Sequence, residues 1–502
     1  MGKFYTSKKK RLAQVAANNL GIIVPNENQR MFRGDAGGFD SIGKESKLYR
    51  NKKLHELDLY YQNKQYDDLQ DWEEACCAED YVKIRDRKPR IVYGFSKMLA
   101  QRIASKLVGL TNFPKLKVDA EPDDSEYIRM VIKAANLRSK MIEPIRKMCA
   151  LGSSFVRYYI IDSKVMVKNY NPKYCYPIYS EDGDLEQVSV RYVFTDENDK
   201  DTNGTPRKKW FQIVMNRQSD ILFDNPPYQE GVDPTFKVTE QVDHESGFVQ
   251  GEWFRTSEEN HSPDGYSLTE DILDFIDEIN YSLSQSSHAV SYNQDPQILL
   301  NEMDEDEMNA MIRSSEKAWN LGKNGKAAFL ESDLGGVQTA TELRDKIRLG
   351  IQDVARIALL DPEKMVASAQ SGEAMKVLHG PMVELINELR PMVEQGLINL
   401  VSKISISILQ LRNAGIADTP VTIPPGWEPK SLDISADWPE VFPMTIEDLA
   451  KKVSVANTAT SGQFLSRETA MRWLAKEFGI EDVEEELAKI AAQPVINPFG
   501  GF

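Results

Sequence analysis

Between residues 267 and 293 the sequence carries two stripes at once, which severely limits what can surround it. Leu268, Ile272, Phe275, Ile276, Ile279 and Leu283 recur at three- and four-residue steps and so share one face of a helix. Asp271, Asp274 and Glu278 repeat at the same steps on another face. At a rise of about 1.5 Å per residue such a helix spans about 40 Å. With one apolar and one acidic face, it reads as a strut between two different surfaces. A second helix starts near Thr339, with Leu343, Ile347, Ile351 and Val354 on its apolar stripe and Arg344 and Arg348 one turn apart on another face. Asp361-Pro362 stops it. Between the two lies a small segment, 295–336, with a short helix around Met308 to Trp319, a strand at Ala327 to Leu330, and Gly322, Gly325, Gly335 and Gly336 as punctuation.

The flanks are built differently. After a polar, glycine-containing start, helical periodicity is expected over 47–76, with Leu48, Tyr49, Leu54, Leu57 and Tyr61 in step. A basic turn from Lys83 to Arg90 precedes a helix carrying Ile91, Phe95, Leu99, Ile103 and Leu107, and another helix is expected from Ser125 to Leu151. From Ser153 the period drops to two or to short apolar bursts, as in Phe155 to Ile161, Val188 to Phe194 and Phe211 to Met215, which predicts a sheet. Asp182-Gly183 and Asn203-Gly204 sit where hairpin turns belong. Residues 224–264 read as irregular and partly strand. Residues 374–411 are helical in period but contain Pro381 and Pro391, so one kinked helix or a broken one is expected. Pro420 to Pro443 reads as a linker or strand pair, followed by helices at Ile446 to Val455, Arg467 to Phe478 and Glu481 to Ala492.

The 502 residues are enough for two to four folding units. A net charge of −16 argues against a protein that grips nucleic acid, because gripping requires Lys and Arg to neutralise phosphates. It is compatible with a channel past which DNA slides. Cys76, Cys77, Cys149 and Cys175 form no CxxC, so neither a disulfide framework nor a zinc site is signalled, and a reducing cytoplasm suits them. No apolar run approaches the roughly 18 residues of a membrane span, and no secretory signal is expected. Gly2 and Thr6 followed by Lys8, Lys9, Lys10 and Arg11 fit an N-myristoylation pattern, but a solvated arm is the simpler reading. GxSxG, HExxH and the phosphate-binding loop are absent. The five histidines show no paired spacing. Asp199, Asp201, Asn203 and Gly204 begin a calcium-loop pattern, but Trp210 stands where it needs Glu. No catalytic residue, metal or cofactor is expected.

The order of parts, with several stretches inside it, resembles the portal protein family of tailed bacteriophages, in its long-tailed-phage branch. Gly152 through Tyr179 with Glu181-Asp-Gly-Asp-Leu looks like the family's wing sheet. Asp264-Gly-Tyr-Ser-Leu, Asp277 to Asn280 and Asp295-Pro-Gln-Ile look like a stem helix running into the clip. Ser371-Gly-Glu-Ala-Met-Lys resembles the exit from the tunnel loop, and Ser466-Arg-Glu-Thr with Glu484-Glu-Glu-Leu resembles the crown.

The resemblance implies an α+β, mostly helical portal fold assembled as a closed ring. Its parts would be an N-terminal arm (1–46), wing (47–266), first stem helix (267–294), clip (295–336), second stem helix (337–360), tunnel loop (361–373), long kinked wing helix and linker (374–443), crown (444–493) and tail (494–502). Lys364, Met365, Val366 and Gln370 would face DNA in the channel. Asp271, Asp274, Glu278, Arg344 and Arg348 would face the channel or a neighbouring subunit. The implied partners are further copies of the chain, a dodecamer in the family's particles; double-stranded DNA without sequence specificity; the terminase large subunit; a head-to-tail adaptor; and the major capsid and scaffolding proteins. The expected locations are the virion's portal vertex and, during assembly, the host cytoplasm. Two rival classes are an adaptor or minor capsid component, which is usually much shorter, and an enzyme using dispersed carboxylates, which the motifs do not encourage.

Overall fold

The computed structural model describes residues 40–76, 80–118, 122–180, 182–230, 232, 234–244, 246–258, 262–294, 297–301, 326–330, 335–357, 379–416, 419–424, 427, 434–441, 446–478, 480 and 483–492. They fall in two compact units, Met1–Ile357 with Ile386–Trp438, and Ala358–Leu385 with Pro439–Phe502.

The first unit opens with α1 (Asp40–Gln62), α2 (Phe95–Val108), β1 (Lys115–Val118), α3 (Pro122–Ala134) and α4 (Ile142–Leu151). The helix expected over 47–76 stops at Gln62, because Asn63 takes a φ of +59° that a right-handed helix cannot continue. Asn136, at φ +50°, likewise divides the helix expected at 125–151. Ile91 lies ahead of α2 rather than on it.

Eight strands follow, β2 (Ser153–Ile161), β3 (Lys164–Tyr170), β4 (Cys175–Tyr179), β5 (Leu185–Lys200), β6 (Pro206–Asn216), β7 (Ser219–Phe223), β8 (Val238–Asp243) and β9 (Gly251–Arg255). They make an antiparallel five-stranded sheet, β8-β7-β6-β5-β4, and an antiparallel three-stranded one, β9-β2-β3. Register sets Cys175, Val190, Ile213 and Leu222 side by side across four strands, and this row packs with Phe155, Tyr170 and Trp253 of the other sheet in one apolar core. Gly183 and Gly204, at φ +88° and +81°, turn the hairpins where the sequence placed them.

The rest comprises α5 (Leu273–Gln294), β10 (Gln297–Asn301), β11 (Lys326–Leu330), α6 (Gly335–Ala355), α7 (Gly380–Asn413) and β12 (Ile434–Asp437). β10 and β11 pair antiparallel, and β12 pairs antiparallel with β1. α7 is one helix of 34 residues despite its prolines. Pro381 sits in the first turn, where a missing N–H costs nothing, while Pro391 is interior. By length and composition α7 could cross a membrane, and it is the one such helix among the described residues. Here it is a core helix: Leu397, Leu400, Val401, Ile404 and Ile408 are fully buried. Tyr158 of β2 donates to the Lys403 carbonyl at 2.9 Å, and Lys403 pairs with Glu252 of β9 at 2.6 Å.

The second unit contains α8 (Ile446–Ser461), α9 (Arg467–Phe478) and α10 (Val483–Ala492). Ser466 caps α9 by accepting from the Thr469 amide at 3.1 Å. Arg472 pairs with Glu468 at 2.7 Å.

A buried polar junction ties α1, α4 and both sheets together. The Arg50 guanidinium grips both oxygens of Asp264, at 2.5 and 3.0 Å, and donates to the carbonyls of Cys175 and Pro172. Ser153 donates to the same carboxylate. Beside it, Asp58 accepts from Asn171 and pairs with Lys173. Gly152 ends α4 at φ +88°, and its carbonyl accepts the amides of Thr256 and Gly265 at 3.1 and 3.2 Å. A Cβ there would stand 2.1 Å from the Gly265 carbonyl oxygen.

Gly152→Ala is therefore expected to destabilise the chain by at least ~1–3 kcal/mol from backbone strain alone, with the clash adding to it, as denaturant unfolding would measure. Burial, helped by the Lys173 charge, lowers the His55 pKa to about 4. Below the ordinary value near 6.5 the unfolded chain takes up a proton that the folded chain refuses, so this contribution to stability is lost as pH falls from about 6.5 towards 4. His55→Gln should flatten that limb in thermal unfolding measured across this range.

Candidate functional site

The candidate site is the α5–α6 pair and the surface that holds it. α5 and the turn before it bury the expected apolar residues Ile272, Ile276 and Ile279 with Leu273, each 9% exposed or less. The helix begins at Leu273, after a tight turn at Glu270–Ile272. Ahead of that turn, Gly265 and Leu268 donate backbone hydrogen bonds to Gly152 and Cys149.

A second buried stripe escaped the sequence reading because it is polar. Asp277, Asn280, Tyr281 and Ser284, spaced as i, i+3, i+4 and i+7, are all under 9% exposed. Tyr60 and Tyr66 donate their hydroxyls to the two oxygens of Asp277, at 2.8 and 2.5 Å. Burial raises the pKa of Tyr66 to about 12 and that of Tyr60 well above its ordinary value, so both remain donors. Asn280 donates to the Tyr66 hydroxyl at 3.1 Å and accepts the Tyr93 amide at 2.8 Å. Ser284 accepts the Ile91 amide at 3.1 Å, and Tyr281 reaches the carbonyls of Arg85 and Arg87 at 2.9 and 3.1 Å. Tyr281 also stands edge-on to Tyr66 under the Arg85 guanidinium. The detectable signal was polar residues repeating at helical spacing, which ordinarily mark a solvated face.

The basic run before α2 is spent within the chain, one residue of it on α5. Arg85 pairs with Glu278, Lys88 with Asp67 at 3.2 Å and Arg90 with Glu73 at 3.1 Å. Arg87 lies over the Trp72 ring and donates to the Val82 carbonyl.

The residues expected to face a channel or a neighbour are placed unequally. Asp271 and Asp274 are exposed, whereas Glu278 is engaged by Arg85 of its own chain. Arg344 touches its neighbour Asp345 at 3.2 Å, and Arg348 is half-exposed on the same helix. α5 and α6 pack together, and a Cβ at Gly350 would meet Phe275 at 3.3 Å, so the missing side chain permits the approach. On α6, Ile351 is buried, but Leu343 and Val354 remain 46% and 45% exposed. Lys364, Met365, Val366 and Gln370 lie outside the described residues. Among the described residues, no group of His, Cys, Asp and Glu could hold a metal ion.

Asp277→Ala would leave two buried hydroxyls without their acceptor and should cost ~2–5 kcal/mol. Tyr66→Phe should cost less. A double-mutant cycle on unfolding free energies should return a coupling above ~1 kcal/mol, as residues in one network do.

A family model described as "Phage portal protein, SPP1 Gp6-like" matches residues 44–494. No curated protein matches the chain in sequence. Among solved structures, a chain titled "Virion of native gene transfer agent (GTA) particle" is similar over 76% of this chain and 89% of its own, at 11% identity and a TM-score of 0.39. A likeness at that level is too distant to carry weight for function.

Proposed function

Because the chain belongs to the SPP1 Gp6-like family of phage portal proteins, a structural family of the virion capsid, we propose the following division of labour for its parts. Copies of the chain close into a ring at one capsid vertex, a dodecamer as the family resemblance implies, and double-stranded DNA passes through its centre in packaging and ejection. α5 and α6 are the stem helices, 295–336 the clip, 361–373 the tunnel loop, the α1–β9 region with α7 the wing, and α8 to α10 the crown. The observation that carries this reading is the family match over residues 44–494, which spans all of these parts. In this arrangement the ring performs no catalysis. It receives the terminase large subunit during packaging and a head-to-tail adaptor afterwards, and meets scaffolding and major capsid proteins as the shell grows in the host cytoplasm.

The physical role of the stem follows from its exposed groups. Asp271 and Asp274 would repel phosphate where they meet the lumen, so DNA would slide without local traps. Arg344 and Arg348 would make transient contacts with phosphate or pair with a neighbouring subunit. Leu343 and Val354, half exposed on α6, supply apolar surface for a neighbour to cover. Lys364, Met365, Val366 and Gln370 would touch the duplex without reading bases.

Replacing Met365 and Val366 with Asp tests the channel assignment. Rings should still assemble, while the DNA content of particles built with the variant should fall sharply. Full heads from a correctly assembled variant would remove these residues from the channel.

A further inference from the structure

The two packed sheets have four edges, and the fold treats them in two ways. At β4 the Cys175 carbonyl accepts from Arg50 of α1, and at β9 the Gly251 carbonyl accepts from Lys403 of α7. Each of these edges is thus covered by a helix of its own chain. At β3 and β8, no described residue bonds the outward backbone groups. All six residues of β8 are exposed, and the strand has neither proline nor lysine to blunt it. β8 is guarded instead by its bulge and by Glu240 and Asp243, which leave it open to an edge of opposite charge.

The side chains on the two open edges are complementary. A bulge between Val238 and Glu240 sets Glu240 beside Leu222 and Val242 beside Asp220. Both therefore lie on the side of the sheet that carries Leu222 and the shared core, with Val242 52% exposed. On β3, register with β2 sets Lys164, Met166 and Lys168 on the side of Tyr170, which also faces that core, and Met166 is 43% exposed. Each edge thus offers an exposed apolar residue beside charge, acidic on β8 and basic on β3. Pairing either edge with its own copy would oppose like charges, which destabilises cross-strand neighbours. Only β8 with β3 brings unlike charges together.

We propose that β8 of one copy adds to β3 of the next, so that the sheets of neighbouring subunits join edge to edge. The contact uses two different surfaces and is heterologous, the kind that a ring requires. Val242 lies opposite Met166. Because Met166 is flanked by Lys164 and Lys168, Glu240 then meets Lys168 if the strands run antiparallel and Lys164 if they run parallel. This inference rests on the ring reading above and specifies a contact within it.

The test is a cross-link in the full chain with Cys76 and Cys77 changed to Ser. With Val242→Cys and Met166→Cys in the same chain, a short bis-maleimide should give a ladder of covalent multimers, and neither single variant should. Glu240→Lys should reduce the yield of the ladder, and adding Lys164→Glu with Lys168→Glu should restore it. Native mass spectrometry on the same samples separates the two failures. Rings that yield no ladder overturn the edge pairing and leave the ring in place. A chain that stays monomeric free and in assembled particles overturns both.

Discussion

The architecture depends on a carboxylate placed where carboxylates rarely survive. Asp277 is buried on α5, and two tyrosine hydroxyls, each held protonated by its own burial, donate to its oxygens. A buried charge is tolerable only when its lone pairs are met, so Tyr60 and Tyr66 fix α5 in both rotation and height. Apolar contacts alone are non-directional and would fix its height less sharply. Asn280, Tyr281 and Ser284 are bound directionally to the Tyr93 amide, the Arg85 and Arg87 carbonyls and the Ile91 amide in turn. Directional hydrogen bonds of this kind define a single register. For a helix proposed to form the wall of a channel, register is the property that matters, since it decides which charges meet the lumen.

Ion pairs within the chain explain where the charge goes. The basic run from Lys83 to Arg90 would, in isolation, look like a phosphate-binding patch, yet three of its residues neutralise Asp67, Glu73 and Glu278. Removing Glu278 from the acidic stripe leaves Asp271 and Asp274 as its exposed members. In the proposed channel these two carboxylates would repel phosphate rather than hold it. The sheets complete the arrangement. Two edges are closed by Arg50 and Lys403, and the two left open carry opposite charges, which favours a head-to-tail succession of copies over a two-fold pair.

Much of this was legible in the order of residues, because period is a strong signal where burial is apolar. The switch to period two at Ser153, the hairpin turns at Gly183 and Gly204, and the apolar stripe of α5 all follow from it. Helix ends were less legible. Asn63 and Asn136 break their helices by adopting positive φ, a choice Asn permits but does not announce. Around Pro391 the sequence left one helix or two open, and α7 runs through it as one with its apolar side buried. The stripe of Asp277, Asn280, Tyr281 and Ser284 was hidden for a deeper reason. Its burial depends on partners 187 or more residues away along the chain, such as Tyr66, Ile91 and Tyr93, and no local pattern reveals such pairing.

As a portal, the chain would work as a closed ring. Negative-stain electron microscopy of the purified protein, beside its mass by native mass spectrometry, tests that most directly. The account predicts rings with a central hole and a mass of about ten or more subunits of 57.0 kDa. A particle of one or two subunits, both in free solution and when released from assembled heads, would contradict it.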